Sequence, residues 1–141
     1  MRGHLRGRLA PVYNTDAINH HWSNIEGLLD RLVDDKLNKE DIYNLVTSGE
    51  WVLWVATVPK TKEVTTIVIT SFIYYPRITN LRIILLSGDN EDWAMGIEML
   101  EDFARANQCH DIEILGRKGW ERTLRDRGYE FQNVTLSKRI T

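Results

Sequence analysis

A hydrophobic run, a polar turn and an amphipathic stretch together decide the fold of this chain. The run is Leu81-Arg-Ile-Ile-Leu-Leu-Ser87, the turn is Gly88-Asp-Asn90, and the amphipathic stretch extends from Glu91 to Asn107. A short apolar run that ends at glycine predicts a buried strand, and acidic residues after the turn favour a helix N-terminus. One face of the predicted helix is apolar and carries Trp93, Ile97, Leu100, Phe103 and Ala104.

The residues after this helix predict a strand, a short helix and a final strand. Asp111–Leu115 alternates acidic and apolar residues, Gly119–Arg127 is a basic helix closed by Gly128, and Phe131–Ile140 alternates again.

The residues before Leu81 predict two helices and a hairpin. Apolar spacing of three and four predicts one helix over Asp16–Asp35, and Asn38 and Gly49 would cap and end a second helix over 39–47. Trp51–Thr57 and Val64–Tyr75 are β-rich segments joined by a polar turn. The predicted order is α-α-β-β-β-α-β-α-β, an α/β (α+β) protein with a mixed sheet flanked by helices. We expect a basic arm over residues 1–15 and a single domain over residues 16–141.

The composition is that of an ordinary globular protein. Among 141 residues, 43% are hydrophobic and 27% are charged, and the net charge of −2 creates no global attraction to nucleic acid or to a membrane. Cys109 is the single cysteine, so no internal disulfide is possible and we expect a reducing compartment. No apolar run is long enough to span a bilayer, and we expect no membrane partner.

Three segments carry a family resemblance. Trp93–Asn107, Ile112–Trp120 with its Gly-Arg-Lys-Gly-Trp turn, and Leu124–Tyr129, which ends in Gly-Tyr, resemble the GNAT N-acetyltransferase superfamily. They are most similar to the short GNAT-like proteins of tailed bacteriophages. The resemblance implies a GNAT-like fold, acetyl-CoA as the cofactor if the protein is active, and a location in the host cytoplasm or the phage virion.

The resemblance also implies where CoA would bind. In the family, backbone N–H groups at a strand-to-helix turn hold the pyrophosphate. Here only Gly96 matches the family loop, since Glu91 replaces a cation or amide and Ala94 replaces a glycine. Asp89 and Asp92 add negative charge that repels a pyrophosphate. The predicted cofactor-binding residues are Leu85, Leu86, Ser87, Glu91, Trp93, Ala94, Met95 and Gly96.

The residues for proton transfer are only partly present. Many family members place a tyrosine, as general acid, four residues before the final glycine, and this chain has Leu124 there. Glu113 is the candidate general base, with Asp111 as an alternative, although both positions fit a solvent-facing side of a strand. Tyr129 fits a buried aromatic position.

Two basic clusters are candidate partner-binding surfaces. One is Trp120 with Arg117, Lys118 and Arg122, and the other is Arg2, Arg6 and Arg8. An aromatic among cations suits nucleic acid, while the alternatives are a tryptophan packed under a basic helix and a mobile terminus. The four histidines and Cys109 lack the spacing of a closed metal site, so no metal is predicted.

Three functions remain. The departures from the family loop favour a non-catalytic phage-type protein with a degenerate acetyl-CoA site, which docks virion proteins, a host protein or DNA. The alternative is an active acyl-CoA-dependent N-acetyltransferase that acts on an unknown amine. The third is an inhibitor that binds a host factor.

Overall fold

The computed structural model describes residues 8–88, 90–116 and 119–140, except for the side chains of residues 90–95. In this part of the chain, five strands form one sheet in the order β1-β2-β3-β4-β5. All neighbours are antiparallel except β4 and β5, which are parallel. The strands are β1 Leu9–Val12, β2 Val52–Thr57, β3 Val64–Tyr74, β4 Thr79–Gly88 and β5 Ile112–Ile114. The helices are α1 Thr15–Trp22, α2 Glu26–Leu29, α3 Lys39–Thr47, α4 Asn90–Ala106 and α5 Gly119–Leu124, followed by a 3₁₀ turn at Arg125–Arg127. The predicted mixed sheet flanked by helices is confirmed.

Helices cover both faces of the sheet. On one face, Ile18, Ile25, Leu29 and Ile42 of the α1–α3 region pack in one core with Leu53, Ile67 and Ile69 of the sheet. On the other face, Ile97, Leu100 and Leu124 of α4 and α5 pack in a second core with Trp54, Val68 and Ile83. Because successive residues of a strand point to opposite faces, β2 has to be apolar at nearly every position to serve both cores.

Several predicted boundaries are confirmed. The α3 helix begins with a reciprocal capping box, in which the Asn38 side chain accepts from the Asp41 N–H at 2.8 Å and the Asp41 carboxylate accepts from the Asn38 N–H at 3.0 Å. Gly49 follows the helix with a φ of 88°. The α4 helix and the β2–β3 hairpin also lie where the sequence predicts them.

The single helix predicted over Asp16–Asp35 is wrong. The structure has α1 and α2, which are separated by a tight turn in which the Asn24 N–H donates to His21 O at 2.9 Å. Two short helices satisfy the same three-and-four spacing, because Ile18, Ile25 and Leu29 all remain buried in one core.

The first fifteen residues contain a strand that the sequence analysis did not predict. β1 pairs with β2 along Leu9–Val12, at the edge of the sheet, and Leu9 and Val12 are buried. Pro11 lies within this strand, and an edge position tolerates a residue that cannot donate a hydrogen bond. The short length and the proline hid the strand from pattern analysis.

The final strand predicted over Phe131–Ile140 is also wrong. Residues 131–140 belong to no strand and are exposed throughout. An alternating pattern forms a strand only where a neighbouring strand pairs with it, and these residues pair with no described strand. Gly128 ends the preceding 3₁₀ turn with a φ of 89°, as the sequence predicts.

In the described residues, the structure contains no helix long and apolar enough to cross a membrane.

Candidate functional site

The two parallel strands of the sheet separate along their length. β5 pairs with β4 only at Leu81–Ile83, and the last contact is a hydrogen bond from the Leu115 N–H to Ile83 O at 3.0 Å. β4 continues to Gly88. Residues 84–88 therefore present a strand edge with no described neighbour on the β5 side, and such an edge offers backbone groups to a ligand.

A β-bulge marks the point where the strands separate. Ile69 pairs with Leu85 and Thr70 pairs with Ile83, so Ile84 is an extra residue on β4. The bulge changes which face the next side chains reach, since Ile83 packs in the core beside α4 whereas Leu85 packs against the core beside α1–α3. Bulges beside active sites redirect side chains in this way.

The far end of β4 carries an unsatisfied hydroxyl. Ser87 is 5% exposed, and its Oγ has no hydrogen-bond partner in the described part of the structure. A buried polar atom without a partner is rare in folded proteins and requires a specific explanation.

Gly88 brings the end of β4 against β3. Its φ is 135°, and a Cβ built at this position would lie 2.3 Å from Thr65 O, so only glycine fits. The helix α4 begins at Asn90, so the unpaired end of β4 leads directly to the N-terminus of a 17-residue helix. The N–H groups of the first turn of such a helix favour an anion.

The structure brings the predicted cofactor-binding residues to this junction. Leu85, Leu86 and Ser87 lie on the unpaired part of β4, and Glu91, Trp93, Ala94 and Met95 lie in the first turns of α4. The side chains of these four α4 residues lie outside the described part, as does Asp89. Gly96 is buried against β1, where an added Cβ would be 3.0 Å from Leu9 Cδ2. The assignment of these residues to CoA stays a prediction.

Glu113 lies in a polar network that the sequence analysis missed. Its carboxylate accepts from Tyr75 Oη at 2.6 Å, from Asn80 Nδ2 at 2.7 Å and from Arg82 Nε at 2.7 Å. Burial raises the pKa of Glu113, but these hydrogen bonds and the Arg82 charge outweigh burial and lower it below its ordinary value. The signal in the sequence was the pair of charged residues, Arg82 and Glu113, inside two apolar strands.

The contacts of Glu113 favour a structural role over proton transfer. Both carboxylate oxygens are occupied by donors, and a group with a lowered pKa is a weak base at neutral pH. Its assignment as the general base stays a prediction. Asp111 differs because its side chain is 59% exposed, and it lies 3.2 Å from His110 Nδ1.

The position of the family's general acid is apolar and buried. Leu124 is 3% exposed and belongs to the core beside α4. Tyr129 packs against the same core and donates its hydroxyl hydrogen to Glu101 at 2.8 Å. Burial and the Glu101 carboxylate raise the pKa of Tyr129 strongly, so its hydroxyl keeps its proton and a structural role.

The basic clusters are only partly described. Trp120 is half-buried and packs against the core beside α4, while Arg122 and Arg8 are exposed. Arg2, Arg6, Arg117 and Lys118 lie outside the described residues. Partner binding through these clusters stays a prediction. Among the described residues, no group of three or more His, Cys, Asp and Glu side chains could hold a metal ion.

No protein-family model and no curated protein matches this sequence. Solved structures nevertheless share its architecture. An aminoglycoside acetyltransferase from an uncultured soil metagenomic sample matches with a TM-score of 0.72 at 11% identity, covering 100% of both chains. Glucosamine-6-phosphate N-acetyltransferase from Arabidopsis thaliana matches with a TM-score of 0.68 at 12% identity, over 94% of this chain and 99% of that one. A GNAT family acetyltransferase from Staphylococcus aureus matches with a TM-score of 0.66 at 12% identity, over 94% and 99%.

At these identities the likeness shows the fold. The chain has the fold of GNAT acetyltransferases, with a mixed five-stranded sheet that opens between β4 and β5. The closer similarity to phage-encoded proteins stays a prediction.

Proposed function

We propose that this protein binds an acyl-CoA in the opening between β4 and β5 and transfers the acyl group to an amine. The observation that carries the proposal is the unpaired edge of β4 over residues 84–88, which begins at the Ile84 bulge and leads into the N-terminus of α4. Enzymes that share this fold include acetyltransferases. Acetyl-CoA is the expected acyl donor.

The opening supplies groups that fit such a donor. The backbone N–H and C=O groups of residues 84–88 can bind an extended, amide-containing chain as a neighbouring strand would. The first N–H groups of α4 can bind phosphate oxygens without any help from side chains. The Ser87 hydroxyl can donate to or accept from a polar group of the donor.

A thioester supplies an acyl carbon that an amine nitrogen attacks, so that a C–N bond forms as the C–S bond breaks. The residues at this site position the reactants more than they move protons. Leu124 has no ionisable group, and the Glu113 carboxylate is held by Tyr75, Asn80 and Arg82. Neither of these two described residues offers a free proton-transfer group, so we propose that the proton released by the amine passes to solvent and that the departing thiolate takes its proton from solvent.

A second candidate function is binding without turnover. It is favoured by the buried Leu124 at the position where many family members carry a tyrosine acid. In this case the chain keeps the fold to dock a partner, and phage virion proteins, a host protein or DNA are the classes that the resemblance implies. The exposed Arg8 and Arg122 are candidate contacts for such a partner.

A coupled assay separates the two candidates. Purified protein is mixed with acetyl-CoA and a panel of small amines, aminoglycosides and amino sugars, and free thiol is measured with a chromogenic disulfide. Release of CoA that depends on one amine class supports transfer. If acetyl-CoA binds but no amine releases thiol above the protein-free rate, the function is binding alone.

A further inference from the structure

A groove runs along the β1 edge of the sheet, on the face that carries α1. Its floor is apolar and comes from Ala10 and Val12 of β1 and Val55 of β2. Alternate residues of a strand point to the same face of a sheet, so the two β1 side chains share one surface. Its wall is α1, on which Ala17 and His21 lie about one turn apart and both line the groove.

Small side chains keep this groove open. Ala10 is exposed and Ala17 is half-buried, so neither the strand nor the helix fills the space between them. The groove has a volume of about 370 Å³, near the lower end of the roughly 300–1,000 Å³ that is typical of sites for small molecules. Its size therefore suits a compact organic molecule.

Four polar side chains of the groove are available to a ligand. In the part of the chain that the structure describes, no side-chain hydrogen bond or ion pair is made by Arg8, Tyr13, His21 or Thr57. Arg8 carries a positive charge at neutral pH, whereas burial and the neighbouring His20 lower the pKa of His21 below its ordinary value. None of the described residues that line the groove is acidic. The groove therefore favours a negatively charged group.

We propose that this groove binds a small monocarboxylate with an apolar body. Arg8 holds the carboxylate, because a planar guanidinium presents parallel N–H donors to both carboxylate oxygens. The β1–β2 register sets Leu9 opposite Ala56, and one residue further it sets Arg8 beside Thr57, whose hydroxyl can donate to the same group. The apolar body lies on the floor of the groove and is removed from water there.

The charges of the groove select a monocarboxylate over other small ligands. A single arginine balances one negative charge, and the second charge of a phosphate dianion would lie unpaired beside an apolar floor, which is unfavourable. Arg8 repels a cationic amine. At neutral pH the His21 ring is uncharged and can donate one hydrogen bond to the carboxylate without adding a second charge.

This groove is separate from the proposed acyl-CoA site. Ala10 and Val12 line the groove beside α1, whereas Leu9 packs on the opposite face and contacts Gly96 of α4. The strands β2 and β3 also lie between β1 and the unpaired part of β4. The inference therefore goes beyond the proposed acyl transfer and does not rest on it.

An NMR titration of the full chain tests the site. Isotope-labelled protein is titrated at matched ionic strength with benzoate, with benzyl alcohol, which lacks the charge, and with inorganic phosphate, which lacks the apolar body. We expect benzoate to shift the amide signals of residues 8–17 and 55–57, to leave those of residues 84–88 unchanged, and to bind about tenfold or more tightly than either other probe. No shift over residues 8–17 at millimolar benzoate, or equal binding of the other probes, would overturn the proposal.

Two variants locate the ligand. Arg8→Gln should weaken benzoate binding about tenfold or more by removing the charge. Ala10→Leu should weaken it to a similar extent by filling the groove. Both residues are exposed, so thermal unfolding should change little.

Arg31→Gln is the matched control, because Arg31 is an exposed arginine outside the groove. This variant should bind benzoate as the natural protein does. Equal losses in Arg8→Gln and Arg31→Gln, or undiminished binding by Ala10→Leu, would contradict the site. Acetyl-CoA binding is measured separately on the same variants and should be unchanged, so failure of either proposal is recognised independently of the other.

Discussion

Leu9 of the edge strand lies directly over Gly96 of α4, so closely that a Cβ at residue 96 would be 3.0 Å from Leu9 Cδ2. Gly96 is the one residue that matches the family's CoA-binding loop well. Its small size is also required by the packing of β1 on α4. Gly96→Glu is therefore a poor probe of CoA binding, because it would disturb the core as well as the loop.

The contact between Leu9 and Gly96 predicts that substitutions at these two residues have non-additive effects on the free energy of unfolding. Gly96→Leu should cost about 1–3 kcal/mol of unfolding free energy by overpacking, and Leu9→Ala about 2–5 kcal/mol by leaving a cavity. Together they should cost less than the sum, because the cavity accommodates the new side chain. Gly27→Leu, in a helix with open space around the glycine, is the matched control and should not destabilise. Additive losses in urea unfolding would show that the two residues do not contact each other.

The close approach at the junction between β4 and α4 predicts that alanine lowers the free energy of unfolding more at Gly88 than at Gly49. Gly88 and Gly49 both have positive φ, but only Gly88 has backbone atoms where a Cβ would lie. Gly49→Ala should cost about 1–2 kcal/mol for its left-handed conformation. Gly88→Ala should cost about 3 kcal/mol or more, since Thr65 O must also move. Equal losses in chemical denaturation would contradict the close approach of β4 to β3.

Local sequence patterns correctly predicted the elements whose own residues supply their caps or apolar faces. They failed for the segments whose structure depends on pairing with a distant strand. α3 carries its own cap in Asn38 and Asp41, and β2 carries apolar residues for two faces, so both were predicted well. β1 is a strand only because β2 pairs with it, and Phe131–Ile140 is not one because no described strand pairs with it. Pairing of distant segments is invisible to a local pattern.

The network around Glu113 predicts a pH dependence. The pKa of Glu113 is lowered in the folded protein, so its contribution to stability is present above its ordinary value of 4.5 and is lost as the pH falls through the lowered value. Glu113→Gln should lower the free energy of unfolding by about 1–3 kcal/mol at neutral pH. The variant should then lose less stability on acidification than the natural protein. Glu50→Gln, at an exposed carboxylate, is the control. Parallel stability curves for Glu113→Gln and the natural protein in acid would contradict the network.

Two of the buried hydroxyls in the sheet, those of Ser87 and Thr70, predict opposite effects of substitution on stability. Ser87 Oγ has no described partner, so Ser87→Ala should leave stability unchanged or raise it while weakening acetyl-CoA binding several-fold, by about 0.5–1.5 kcal/mol. Thr70 Oγ1 accepts from Trp54 Nε1 at 3.0 Å, so Thr70→Val should cost about 1–3 kcal/mol by leaving that buried N–H unpaired. Thermal unfolding and calorimetric titration measure both. A Ser87→Ala variant that unfolds more easily and binds acetyl-CoA normally would show that Ser87 has no ligand role.

The sequence predicted only part of the candidate site. The strand-to-helix turn at Gly88 and the backbone residues beside it follow from local patterns and the resemblance. The opening itself depends on where β5 stops pairing with β4, beside the Ile84 bulge, and neither feature is recorded in an apolar pattern. The unsatisfied Ser87 hydroxyl likewise becomes apparent only once its surroundings are assembled.

The most direct test of acyl-CoA binding is hydrogen exchange measured by mass spectrometry with and without acetyl-CoA. We predict slower exchange over residues 84–96 at micromolar to millimolar ligand, with no change in β2, which β3 separates from β4. Unchanged exchange over residues 84–96 at millimolar acetyl-CoA would contradict the proposed site.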